Sequence, residues 1–326
     1  MLKKSLFRTI IGRSDTSTIA AAVILFVTFS VTSSSFLTGF NMFNVSRTAA
    51  LYVFVALGQA MAIIVGGMNM SLGAIGGLAT VIAGFFMHVL KWPVWASCAV
   101  ALATGILAGG FNGFIITRLK LNSFVVTLAT LFIFTGITFG VTRGFPYTNI
   151  PDSFVVIGKQ GFLEVPYLFW LMLVALAIVY YIFRYTYFGR KLLATGGNIQ
   201  AARLSGINTD RILLLANVLS GFCAALAGLL WLSRMGSAAP ATGQDWLVVS
   251  FAVAVIGGTA LKGGIISPVG LLFSAIIMTL IKNGLIMLEV NIYFEQSFLG
   301  AIILLAVAFE RVRVSIAARD GVRQGI

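Results

Sequence analysis

The side chains able to do chemistry are few and scattered. The only histidine, His88, and the two cysteines, Cys98 and Cys223, fall in separate apolar stretches. A metal site gathers several N, S or O ligands in one place, and no spacing here supplies them. The cysteines read as small hydrophobes rather than as a disulfide framework. A P-loop requires G-x-x-x-x-G-K-[ST], but the one Gly-Lys pair, Gly158–Lys159, is followed by Gln160. Neither metal, cofactor nor nucleotide is therefore predicted. What remains are uncharged hydrogen-bonding groups in apolar surroundings: Gln59, Asn69, Ser71, Asn112, Thr127, Thr135, Asn283 and Gln296. Such groups either hydrogen-bond between helices or line a polar path. Asn112 and Thr127 read first as hydrogen bonds between helices. Asn69 stands beside Gly66 and Gly67, which break a helix and open its backbone to a protein cavity.

Those groups have to be positioned by membrane helices. The chain has 326 residues, 59% hydrophobic and 10% charged, with a mean hydropathy of +1.03; soluble domains carry about 25% charge. The fold class is all-α, a polytopic helical membrane protein in a single domain. A span needs about 20 apolar residues, and runs of that length number about ten, within a range of eight to eleven. They lie near Thr18–Leu37, Arg47–Val65, Met70–Leu90, Pro93–Thr117 and Asn122–Val141, then Pro166–Phe183, Ile212–Leu232, Trp246–Leu261, Ile266–Leu285 and Ile292–Phe309. Lys3, Lys4, Arg8 and Arg13 precede an apolar run too long for a signal peptide, so the first run is expected to stay as a helix. In the fourth, Gly105, Gly109 and Gly113 repeat at four-residue steps, and Gly221, Ala225 and Gly228 approximate this in the seventh. Small residues on one face let helices pack closely in lipid.

Charge sets orientation. With the N-terminus inside and ten alternating spans, 16 of the Lys and Arg residues fall inside and 6 outside, as the positive-inside rule requires. Both termini, residues 1–16 and 311–326, are expected to be cytoplasmic, and so is the polar interruption at 184–211. The net charge of +13 is thereby assigned to the bilayer and not to nucleic acid. Residues 144–165 form the longest external loop, where an outer partner would touch. Lys282, Glu289 and Glu295 read as lying towards the outer ends of their spans, able to snorkel.

No carboxylate is predicted in mid-membrane, where ion-coupled carriers keep their coupling groups. A membrane enzyme would need a cluster of acids, bases or ligands, and none is visible. Uphill transport would then draw its energy from another subunit, and 184–211 is a natural docking element for a soluble motor. Within it a short helix is predicted from Ile199, with Asn198 as N-cap and Gly206 as its stop. Ala201 and Ala202 offer the small surface that close docking favours.

"GRKLLATGGNIQAARLSGI" followed by "SGFCAALAGLL" resembles the membrane permease subunit of ribose-type ABC importers, a family that also serves xylose, galactose, inositol, rhamnose and autoinducer-2. "GGMNMSLGAIGG" at Gly66–Gly77, "NSFVVTLATLFIFTG" at Asn122–Gly136, "AVIGGTALKGG" at Ala254–Gly264 and "LIKNGL" at Leu280–Leu285 extend the resemblance over nearly the whole chain. It implies a bacterial inner-membrane importer without catalytic residues of its own. The implied partners are a cytoplasmic ATP-binding subunit, a periplasmic sugar-binding protein and a second permease, in a homodimer or heterodimer. Gly196, Gly197, Asn198, Ala201, Ala202, Arg203 and Gly206 would carry the ATPase coupling contact. The cargo implied is a monosaccharide, with autoinducer-2, a polyol or a nucleoside open. Three departures remove charge: Asn69 replaces the family's usual Asp, Thr135–Gly136 its Arg-Gly, and Leu247–Val249 its Glu-Leu-Asp. They point to a variant branch that pairs with a different permease chain.

Overall fold

The computed structural model describes residues 13–288 and, beyond them, residues 294, 297, 298, 300, 301 and 304. The tenth expected span therefore lies largely outside the described residues, as do Glu289, Glu295, Gln296 and both charged tails. Helices form wherever long apolar runs can close every backbone hydrogen bond internally, the condition for crossing hydrocarbon. In chain order they are α1 (Arg13–Thr32), α2 (Gly39–Ile63), α3 (Leu72–His88), α4 (Val94–Arg118), α5 (Ser123–Thr142), α6 (Asp152–Lys159), α7 (Tyr167–Tyr185), α8 (Tyr187–Gly197), α9 (Ile199–Leu204), α10 (Thr209–Met235), α11 (Trp246–Ile256) and α12 (Pro268–Met287). The only sheet among the described residues is a two-residue antiparallel pair, β1 (Gly161–Phe162) with β2 (Val165–Pro166). The chain is thus an all-α polytopic membrane protein. Among the described residues seven helices are long and apolar enough to span, and α3 and α11 are shorter apolar helices.

Among the helices long enough to span, the most enclosed is α2, with α7, α10, α11 and α12 around it. It starts eight residues before the run expected at Arg47, because Thr38 caps it by accepting from the Asn41 N–H. The polar first turns escape a hydropathy reading, yet they are paired: Asn41 and Asn283 exchange amide hydrogen bonds of 3.2 and 2.8 Å. Arg47 donates to the Gly158 carbonyl and lies over the Phe43 ring. At the other edge of the bundle, α4 packs on α10 through glycines. A methyl on Gly109 would come within 2.3 Å of the Asn217 carbonyl, and one on Gly221 within 2.2 Å of the Gly105 carbonyl. Gly113 lies against Leu214. Backbones this close maximise dispersion where lipid supplies no hydrophobic drive.

Residues 144–165 are packed rather than free. They contain α6, whose Phe154 and Val155 are buried against Leu229 and Leu232 of α10. Gly158 is pressed on the Ser233–Arg234 backbone. The aromatic and aliphatic tips left most exposed are Phe145, Phe162 and Leu163.

Candidate functional site

Two helices are too short to cross the bilayer. At 1.5 Å per residue α3 and α11 reach about 25 and 16 Å, against about 30 Å of hydrocarbon. Each is preceded by a stretch without regular helix, residues 64–71 and residues 236–245. Such backbone survives at membrane depth only when buried in protein. In the first stretch Gly66 adopts φ +80°, and the chain climbs beside α5: the Met68 N–H donates to Ser123 Oγ and the Met70 N–H to Thr127 Oγ1. The second descends the glycine face of α3. Methyls on Gly77 and Gly73 would meet the carbonyls of Thr242 at 2.3 Å and Gly243 at 2.1 Å. Its outer end is pinned by the reciprocal backbone pair Tyr147–Ala238.

A cavity of about 200 Å³ lies where the two stretches meet α5. Its walls include Met70, Gly77, Thr135, Thr138, Thr242 and Gln244. Of the predicted path residues that the structure describes, Thr135 alone reaches it. Asn69, Ser71 and Asn112 instead form a buried relay: Asn112 Nδ2 donates to Ser71 Oγ at 2.8 Å, Ser71 to Asn69 Oδ1 at 2.8 Å, and Asn69 Nδ2 to Ser220 Oγ at 2.9 Å. That chain ties the first irregular stretch to α4 and α10. Thr127 Oγ1 receives the Met70 N–H and Asn283 pairs with Asn41, so both hold backbone or helix in place. Gln59 is fully buried with no partner on either amide atom among the described residues, and it does not line the cavity.

A charge pair stands nearby where none was expected. Lys282 does not snorkel outwards. Its side chain is only 15% exposed and its Nζ lies 3.3 Å from Asp245 Oδ2. It also sits 5.5 Å from the Tyr52 ring, at the midpoint of α2. Asp245 ends the second irregular stretch, two residues before Leu247.

At the opposite end of the irregular stretches the basic segment makes a second junction. Asn198 Oδ1 accepts from the Gln200 and Ala201 N–H groups, capping α9, and Gly206 ends it at φ +79°. Ala202 is buried while Ala201 is exposed, so Ala202 packs inwards and does not offer itself for docking. Arg203 is occupied within the chain: Nε donates to Thr209 Oγ1 at 2.7 Å, and Asp210 bridges it to Lys120. Gly197 is open, but a methyl on Gly196 would fall 1.7 Å from the Ile64 carbonyl and 2.7 Å from the Gly264 nitrogen. The Gly264 N–H itself donates to the Ile64 carbonyl at 2.8 Å. Three chain segments therefore meet at one knot: the start of the first irregular stretch, the end of α8, and the turn after α11.

Sequence reasoning missed Leu204. It is 91% exposed on α9, the most exposed large apolar side chain among the described residues, although its segment is otherwise polar. It also missed the second irregular stretch, for which Gly236, Pro240 and Gly243 in "GSAAPATGQD" were the available turn signal.

Residues 41–307 match the family described as branched-chain amino acid transport system / permease component. The chain is 33% identical over 291 residues to the ribose import permease protein of Haemophilus influenzae, covering 88% of this chain and 90% of that one. It is 29% identical over 319 residues to the autoinducer 2 import system permease protein of Photorhabdus laumondii, covering 98% and 95%. Against the xylose transport system permease protein of Escherichia coli it is 30% identical over 347 residues, covering 88% of each. No solved structure matches.

Proposed function

We propose, for a chain that belongs to the branched-chain amino acid transport system / permease component family in its ribose-type branch, that it passes a monosaccharide or similar small polyhydroxy solute across a bacterial inner membrane. Its basic end faces the cytoplasm, as the positive-inside rule requires. ATP hydrolysis belongs to a separate cytoplasmic subunit, a periplasmic binding protein delivers the solute, and a second permease chain completes the pore. Three relatives that carry ribose, xylose and autoinducer 2 by name share small, hydroxyl-rich cargo, which uncharged walls such as Thr135, Thr138, Thr242 and Gln244 suit.

The observation that carries the ATP-driven reading is Leu204 on the capped helix α9. Leu204 at 91% exposure, with Ile199 and Ala201 also exposed on the same short helix, offers apolar surface at the basic end that a partner can cover. The knot at Gly196 places the end of α8, which leads straight into that helix, in direct backbone contact with the stretch leading to the cavity. The coupling contact is accordingly assigned to Ile199, Ala201 and Leu204, while Gly196, Asn198, Ala202, Arg203 and Gly206 hold their geometry.

Reconstitution in liposomes with the cognate ATP-binding subunit and loaded binding protein tests this. Labelled sugar should accumulate only with ATP inside the compartment that holds the ATP-binding subunit. Accumulation driven by an ion gradient, with no nucleotide present, would return the chain to the class of secondary carriers.

A further inference from the structure

A second cavity, of about 350 Å³, lies at the basic end between the last turn of α4 and the first turn of α10, lined by Thr117, Arg118, Asn208, Asp210, Arg211 and Leu214. Its one carboxylate is already neutralised, since Asp210 is 2.8 Å from Lys120 and 3.0 Å from Arg203. Arg118 and Arg211 are left without an ion pair among the described residues, both exposed, one on each wall. The cavity therefore presents unspent positive charge from two helices to a single space.

What lies beneath that space is apolar and open. Phe114 and Leu107 stand one and three turns below Arg118 on the same face of α4, 54% and 70% exposed. On α10, Leu214 and Val218 continue below Arg211. Between them is Gly110, where an added methyl would meet only Val218 Cγ2, at 3.7 Å. The result is a shallow furrow with a glycine floor and apolar walls, crowned by two guanidiniums at the last turn of α4 and the first turn of α10.

We propose that this cavity and furrow form a binding site for an anionic phospholipid of the leaflet at the basic end. The phosphate sits between Arg118 and Arg211, with the Asn208 amide beside it, and one acyl chain lies along Gly110 between Phe114 and Val218. Guanidinium matches phosphate in geometry as well as charge, and basic pockets between membrane helices select anionic head groups. An acyl chain accounts for the furrow, which a free inorganic anion would leave empty. Occupied, the lipid bridges α4 and α10 one turn from the ion pairs that anchor α9, so the membrane contributes to holding the coupling helix.

Native mass spectrometry of the full permease complex tests the assignment, with dioleoyl-phosphatidylglycerol, dioleoyl-phosphatidylcholine and inorganic phosphate as probes. The anionic lipid should bind tighter than the zwitterionic one, and Arg118→Gln with Arg211→Gln should weaken it by about thirtyfold. Phosphate alone should not displace it. If the double variant fails to assemble, Gly110→Leu keeps both charges and fills the furrow, and should weaken lipid while leaving phosphate binding unchanged. Equal retention of both lipids, equal binding by wild type and variant, or displacement by phosphate would each overturn the proposal. Expulsion of the lipid when the ATP-binding subunit is added would also overturn it, by giving the arginines to a protein partner.

Discussion

Lys282 and Asp245 carry the charge that the bundle interior has to tolerate. An unpaired ammonium turned towards the middle of α2 would pay a desolvation cost that the Asp245 carboxylate and the Tyr52 ring offset. Asp245 keeps 41% of its side chain exposed, so the pair is partly screened, and a coupling of about 1 kcal/mol is the fair expectation. Asp245→Asn and Lys282→Met should each lower the apparent melting temperature in detergent, and the double variant should lose less than the sum. Strict additivity would mean that the two groups are not coupled. At the cavity, Thr135→Trp should fill the space between α5 and the second irregular stretch and cut ATP-driven uptake at least tenfold, as about 1.4 kcal/mol per decade requires. Unchanged uptake would move the path elsewhere. Why Thr135 was legible in the sequence, and the ion pair was not, has a physical reason. A lone hydroxyl in an apolar run signals itself, whereas a Lys near a helix end looks solvated until the fold shows which way its stem points. The same blindness made Asn69, Ser71 and Asn283 look like path residues. Polarity in an apolar run reports a hydrogen bond and leaves its partner unnamed, and here the partners are Ser220, Asn112 and Asn41.

At the scale of elements, apolar length revealed the helices and could not reveal their breaks. A run of hydrophobic residues reads the same whether it crosses the bilayer whole, as α10 does, or is halved, as α11 is. Only the glycines of α3 mark where another backbone lies against it, and their spacing shows a close approach without naming Thr242 and Gly243 as what approaches. Capping was better encoded, because Asn198 and Gly206 act on their immediate neighbours: α9 begins and stops where those residues require. The knot joining Ile64, Gly196 and Gly264 is non-local, and it carries the element-scale prediction. Gly196→Ala puts a methyl where the Ile64 carbonyl already is, so α8 must shift away from the irregular stretch. The complex should still assemble with its ATP-binding subunit through Leu204, yet loaded binding protein should no longer stimulate its ATP hydrolysis. Leu204→Glu should do the reverse, leaving the knot intact and lowering capture of the ATP-binding subunit by about tenfold or more, the loss of an anchor worth about 2 kcal/mol. Identical behaviour of the two variants would show that docking and transmission are one property of the segment.

For the whole molecule, the alternation of helices and the asymmetry of basic residues make one statement about which way the protein faces. The contacts divide into two ends. One end holds Tyr147 against Ala238 and Arg47 against Gly158. The other holds Lys120 against Asp210 and Ile64 against Gly264. The basic residues of the described loops crowd the second end, and the positive-inside rule predicts that this end is the cytoplasmic one. Single cysteines can read this directly once Cys98 and Cys223 are replaced by Ala. Leu163→Cys, on the exposed tip between β1 and β2, should react with a membrane-impermeant maleimide added to intact cells. Leu204→Cys should react only after the membrane is opened. Reaction of Leu204→Cys in intact cells, with Leu163→Cys protected, would invert the molecule. The exposed Leu204 of α9 would then face away from any nucleotide, and the leaflet assigned to the Arg118–Arg211 cavity would change with it.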